Sequence, residues 1–153
     1  MAYATVDYSL PLDTAEINKL ITNVNLGTDR VYYSAETAGP LTLNDGASPL
    51  SLVSYNLAYN NLPEMVIVTG SVSFSATKAT NINIFLTRNG SKVGSYGSLT
   101  VTGGLQFPFC VIMPLFTPGG SGTNAYIVKA ELANATLGSV ATFAHVAVTH
   151  WQI

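Results

Sequence analysis

Residues 65–101 read MVIVTGSVSFSATKATNINIFLTRNGSKVGSYGSLTV, and the alternation within them decides the fold class. Val66, Val68, Val72 and Phe74 alternate with Thr69, Ser71, Ser73 and Ser75, the period of a strand with one buried face. A helix would need its apolar positions three and four residues apart. Asn81 to Arg88 forms a second run, and Asn89-Gly90 supplies the two left-handed positions of a tight hairpin turn. Lys92 to Val101 then returns alongside it.

The same pattern extends to both sides. Runs rich in β-branched and aromatic residues fall near 31–35, 50–59, 65–76, 81–88, 92–101, 105–113, 124–133 and 139–152. Gly103-Gly104 and Pro118-Gly119-Gly120-Ser121-Gly122 mark turns between them. About eight antiparallel strands with little helix predict an all-β jelly-roll sandwich.

The first thirty residues follow another rule. Asp13 with Glu16 fits a capping box, and Ile17, Leu20, Ile21 and Val24 follow at helical spacing. This predicts a short amphipathic helix over about 14–23, within an amino-terminal arm of residues 1–30 ahead of a sandwich domain of residues 31–153. The helix either packs on its own domain or docks on a neighbour, and the sequence leaves both open.

Composition narrows the function. Of 153 residues, 48% are apolar and only 9% are charged, against roughly a quarter in typical soluble proteins. Six basic against eight acidic residues give a net charge of −2, which argues against a nucleic-acid footprint. Val93 to Val128 and Leu132 to Ile153 contain no Asp, Glu, Lys or Arg. A sandwich strand with one wet face should carry polar residues at every second position. In the last run, Val140, Thr142, Ala144, Val146 and Val148 occupy one parity. Ala141, Phe143, His145, Ala147, Thr149 and Trp151 occupy the other. Both faces suit burial, so one should meet the core and the other a second subunit, the alternative being cover by a loop or by the amino-terminal helix. Phe143, His145, Val148 and Trp151 are the expected subunit contacts.

No catalytic or metal-binding constellation stands out. His145 and His150 are five apart, which on a regular strand places them on opposite faces. The eight carboxylates are scattered, and neither a phosphate-binding glycine motif nor a GxSxG elbow occurs. The single Cys110 lies in the apolar run Phe109 to Met113, which predicts a buried, inert thiol. The expectation is a protein that is not an enzyme and needs no cofactor. The opening MAYATVDYSL lacks the pattern of a secretory signal, and no stretch is long and apolar enough to span a bilayer. Synthesis in a host cytoplasm, without membrane partners, is expected. Tyr32, Tyr33, Tyr55, Tyr59 and Tyr96 lie among Asn and Ser, a combination that allows sugar stacking or simple half-burial.

Val72-Ser73-Phe74-Ser75-Ala76, Ile82 to Leu86, and Arg88-Asn89-Gly90-Ser91-Lys92-Val93 together resemble the middle strands of tumour-necrosis-factor/C1q-like jelly rolls. The closing run from Val140 to Ile153 is similar to the last strand of that fold. The chain departs from the animal members in lacking a collagen stalk and a calcium-type acidic cluster. Its charge-poor, Ser/Thr/Asn/Gly-rich make-up resembles bacteriophage head-decoration (cement) proteins and fibre heads. The resemblance implies a homotrimer on the capsid surface of a virion, partnered by the major capsid protein. The amino-terminal arm would touch the shell, with Tyr8, Ile17, Leu20 and Ile21 as its contacts. The alternative is a carbohydrate-binding head of a tail or head fibre, reading a host glycan through tyrosine and asparagine.

Overall fold

Period-two patterning produces eight strands in the computed structural model, which describes residues 32–47, 49–58, 63–75, 80–101, 103, 106–115, 122–133 and 139–152. They are β1 (Tyr32–Asn44), β2 (Leu50–Ala58), β3 (Glu64–Phe74), β4 (Thr80–Arg88), β5 (Ser91–Val101), β6 (Gln106–Leu115), β7 (Thr123–Ala133) and β8 (Val140–Gln152). Contacts divide the chain into Met1–Val31 and Tyr32–Ile153, and every described strand belongs to the second unit. The helix expected over about 14–23 lies outside the described residues, as do Tyr8, Ile17, Leu20 and Ile21. Among the described residues no helix is long and apolar enough to cross a membrane.

The strands form two antiparallel four-stranded sheets, ordered β1-β8-β3-β6 and β2-β7-β4-β5. Strands consecutive in sequence alternate between sheets except at the β4–β5 hairpin, which gives the jelly-roll order. The hairpin turn adopts the left-handed pair read from its sequence, with φ of 49° at Asn89 and 84° at Gly90. Val66, Val68, Val72 and Phe74 all point inward, opposite Ile82, Ile84, Leu86, Tyr126 and Val128 of the other sheet.

The first strand runs nine residues beyond the end expected for it at 35. Gly39 takes a left-handed φ of 91°, and the register between Ala38 and Leu41 absorbs the irregularity. The strand therefore continues through Gly39-Pro40 instead of ending there.

β8 contains a bulge that the parity argument did not anticipate. Ser71 of β3 faces His145 and Val72 faces Phe143, leaving Ala144 without a partner on β3. The inward row is consequently Ala141 and Phe143, then Val146, Val148, His150 and Gln152. Gly70 on β3 accommodates this kink. A Cβ there would run into the His145 carbonyl oxygen and come within 2.7 Å of the Phe109 ring. Because one of the two obstacles is backbone, Gly70→Ala should destabilise the domain by about 1–3 kcal/mol in thermal or urea unfolding. Unchanged stability would mean that the bulge is free to shift.

Cys110 is exposed, contrary to the expected buried thiol. β6 buries Phe109, Val111, Met113 and Leu115, so the intervening Cys110 and Ile112 point outward. A continuous apolar run had concealed a strand with two differently placed faces.

Candidate functional site

Two features combine residues from several strands: the outer face of one sheet, and a polar cluster buried at one end of the sandwich. The outer face of β1-β8-β3-β6 is ordered by its register. Trp151, Met65 and Pro114 lie side by side on β8, β3 and β6. The next row is Thr149, Ile67 and Ile112, and the one after it is Ala147, Thr69 and Cys110. Ile112 is 58% exposed and Trp151 41% exposed. The only ionisable side chains on this face among the described residues, apart from the Cys110 thiol, are Glu36 and His145, which lie 3.7 Å apart.

The opposite sheet presents different chemistry to solvent. Ser54 and Asn56 are exposed on β2, and Lys129 and Glu131 are half-buried on β7. Lys92 sits 4.1 Å from the centre of the Phe85 ring and 3.9 Å from Glu131, while Asn83 donates to Glu131 at 3.4 Å. Thr100 donates to Asn81 at 2.8 Å. Charge is thus segregated between the two faces.

The expected subunit contacts divide accordingly. His145 and Trp151 point outward, on the charge-poor face. Phe143 and Val148 do not: they are 0% and 1% exposed and belong to the core. The bulge at Ala144 accounts for this, since it turns Phe143 and Val148 to the same side although their numbers differ in parity. Of the tyrosines considered for sugar stacking, Tyr55 is buried in the interior. Tyr59 and the side chains of Tyr32, Tyr33 and Tyr96 lie outside the described residues.

Sequence reasoning missed the polar cluster. Glu64 opens β3, His150 and Gln152 close β8, Tyr55 lies on β2, Tyr126 and Asn124 on β7, and Arg88 ends β4. The Tyr126 hydroxyl donates to Glu64 Oε1 at 2.7 Å, and Glu64 Oε2 lies 3.6 Å from Arg88 and 3.7 Å from His150 Nε2. Gln152 Nε2 donates to the Ala58 carbonyl at 3.0 Å and reaches Glu64 at 3.4 Å. Tyr55 Oη and His150 Nδ1 share a hydrogen bond at 2.9 Å, with the tautomer of the ring deciding which of them donates. Tyr55 stacks on Tyr126 with ring centres 5.4 Å apart, and the His150 ring stands edge-on to Tyr126 at 4.8 Å. The β4–β5 turn is fastened to this end, because Asn89 donates to Asn124 Oδ1 at 2.7 Å and accepts from the Ala125 amide.

A signal for the cluster did exist. Glu64 continues the buried row of Val66 and Val68, and Arg88 continues that of Ile82, Ile84 and Leu86. A charge on a buried row requires a partner across the sandwich.

Burial alone pushes the Glu64 carboxyl up, but the His150 ring, the Tyr126 hydroxyl and the Arg88 charge outweigh it and hold the group below its ordinary 4.5. Burial, reinforced by Glu64, pushes the Tyr126 phenol up, so it remains a donor. A carboxylate depressed in the folded state contributes stability above its unfolded value and loses it as pH falls through the folded value. The domain should therefore weaken as pH falls below about 4.5, and Glu64→Gln should flatten that part of the curve. Unfolding midpoints that fall equally in both proteins would separate acid sensitivity from this cluster.

No protein-family model matches the chain, and no curated protein matches it. Solved structures similar to it include a carbohydrate-binding module, CBM36, in complex with calcium and xylotriose. That match has 16% identity and a TM-score of 0.41, covering 76% of this chain and 96% of the module. The infectious bursal disease virus VP2 subviral particle matches with 14% identity and a TM-score of 0.40, over 81% of this chain and 37% of that one. The EclA C-terminal domain, a sugar-binding protein, matches with 10% identity and a TM-score of 0.39, over 97% and 89% respectively. The structural neighbours thus include viral capsid proteins and carbohydrate-binding modules. At these scores the likenesses carry no functional argument.

Proposed function

We propose that this protein is a structural subunit acting through buried contact area, and that it serves as a trimeric capsid-decoration (cement) protein of a bacteriophage virion. The observation that carries this reading is the segregation of charge. One whole sheet face offers water almost no ionised group, while the other carries Lys92, Lys129 and Glu131 among amides and hydroxyls. A subunit that joins neighbouring shell proteins against internal pressure needs area and shape rather than reactive groups. The polar cluster fits the same reading. Glu64, His150, Tyr126 and Gln152 face the interior and tie the two sheets together.

Co-sedimentation with undecorated phage capsids tests the proposal. The full chain should pellet with the shells, and deletion of residues 1–30 should abolish pelleting while the β-sheet circular dichroism is retained. Specific binding on a glycan array, with no capsid binding, would overturn it in favour of a fibre head.

A further inference from the structure

We propose that the outer face of the β1-β8-β3-β6 sheet, centred on Met65, Ile67 and Ile112, packs against a second copy of this chain; this rests on the structural-subunit reading above.

The rows set out above place the large apolar side chains toward one end of the face and uncharged polar ones toward the other. Met65, Ile67, Ile112 and Pro114 are flanked by Ser71, Ser73, Gln106 and Thr142 toward the other end of the sheet. Apolar side chains and a lack of charge are what the buried part of a protein–protein contact is made of. Four strands spaced about 4.8 Å apart, with eleven-residue strands about 35 Å long, give a face on the order of 700 Å². A standard stable interface takes roughly 800 Å² from each partner, so the whole face is needed and suffices approximately.

Charge selects the occupant. Glu36, with His145 3.7 Å away, is the one carboxylate on this face among the described residues, so the face has no cluster of charge to attract an acidic or basic partner. Two copies meeting here would desolvate few ions. The edges select the mode. β6 carries Pro108 and Pro114, and β1 carries Gly39-Pro40 at its irregularity. Proline cannot donate to a sheet ladder, so neither edge is a good template for an added strand. Face-on packing remains. The other sheet is unsuited to it, because Lys92 covers Phe85 and pairs with Glu131.

Light scattering after size exclusion, on the full chain over a wide concentration range, tests the surface. Wild type should have a multiple of the mass of the 16.1 kDa chain, twice for this face meeting its own copy and three times for the decoration trimer. Ile112→Asp should have the mass of one chain with unchanged circular dichroism, because Ile112 is already exposed in the single subunit. Thr69→Arg, on the adjoining row, should do the same and provides the answer if the first variant misfolds. Ser54→Asp, on the opposite sheet, should leave the mass unchanged. The Cys110 thiol, on the same face, should react with a water-soluble disulfide reagent roughly tenfold faster in Ile112→Asp than in wild type.

Several results would overturn the proposal. They are a wild type of single-chain mass at every concentration, an unchanged assembly in both face variants, and a monomer whose Cys110 is shielded by residues 1–31. A two-copy mass would support the face and overturn the three-fold arrangement. A single chain that still pellets with capsids would refute this surface alone. An assembly that ignores capsids would refute the decoration role alone.

Discussion

Glu64→Ala should lower the unfolding free energy by about 3–5 kcal/mol, the usual cost of removing one partner from a buried ion pair. Glu64 is 3% exposed and is the only carboxylate among the described residues that lies in the core. Its loss removes the carboxylate that lies 3.6 Å from the Arg88 guanidinium and 3.7 Å from the His150 ring, and that accepts from the Tyr126 hydroxyl. The large cost is not the net worth of the pair, because bringing the charges inside already required their desolvation. The double variant Glu64→Met with Arg88→Met should therefore recover much of the loss. Urea unfolding of the three proteins checks both statements. A single-variant loss below about 1 kcal/mol would show that water reaches the cluster and that its charges are screened.

Phe143→Ala should cost a similar amount, about 3–5 kcal/mol, because it empties a fully buried position. The ring stands edge-on to Phe109 with centres 6.0 Å apart, and it sits beside the bulge where inward parity changes. The effect should fall on stability and leave the assembly mass of the folded protein unchanged. That pattern separates a core residue from a contact residue. Reduced assembly at full stability would return Phe143 to the interface that its parity first suggested.

Much of the architecture was legible because it depends on local chemistry. The alternation around Val66 to Phe74 could serve only a strand with one buried side, and Asn89-Gly90 could serve only a tight turn. The shortage of charge in Val93 to Val128 and Leu132 to Ile153 corresponds to β6 and β8, whose outward residues build the charge-poor face. The candidate site was less legible. Counting parity along β8 assumed an uninterrupted strand, and one unpaired alanine invalidated the count for half its length. The run containing Cys110 looked uniformly buried because apolar residues occupied both parities, and hydropathy does not distinguish a core from a face awaiting a partner. Glu64 and Arg88, 24 positions apart, gave no local motif, because their association runs across the sandwich.

The sequence by itself determined the strands, their turns and the scarcity of ionised groups, since each follows from backbone preference and side-chain polarity within a few residues. Only the tertiary structure decided which way β8 turns after Ala144, which apolar row faces outward, and which distant charges meet inside. Those outcomes depend on strand pairing, and pairing is fixed by contacts between residues that the chain order keeps far apart. Gly70 illustrates the point: an ordinary glycine in its own strand, it is the position that leaves room for the bulge of another.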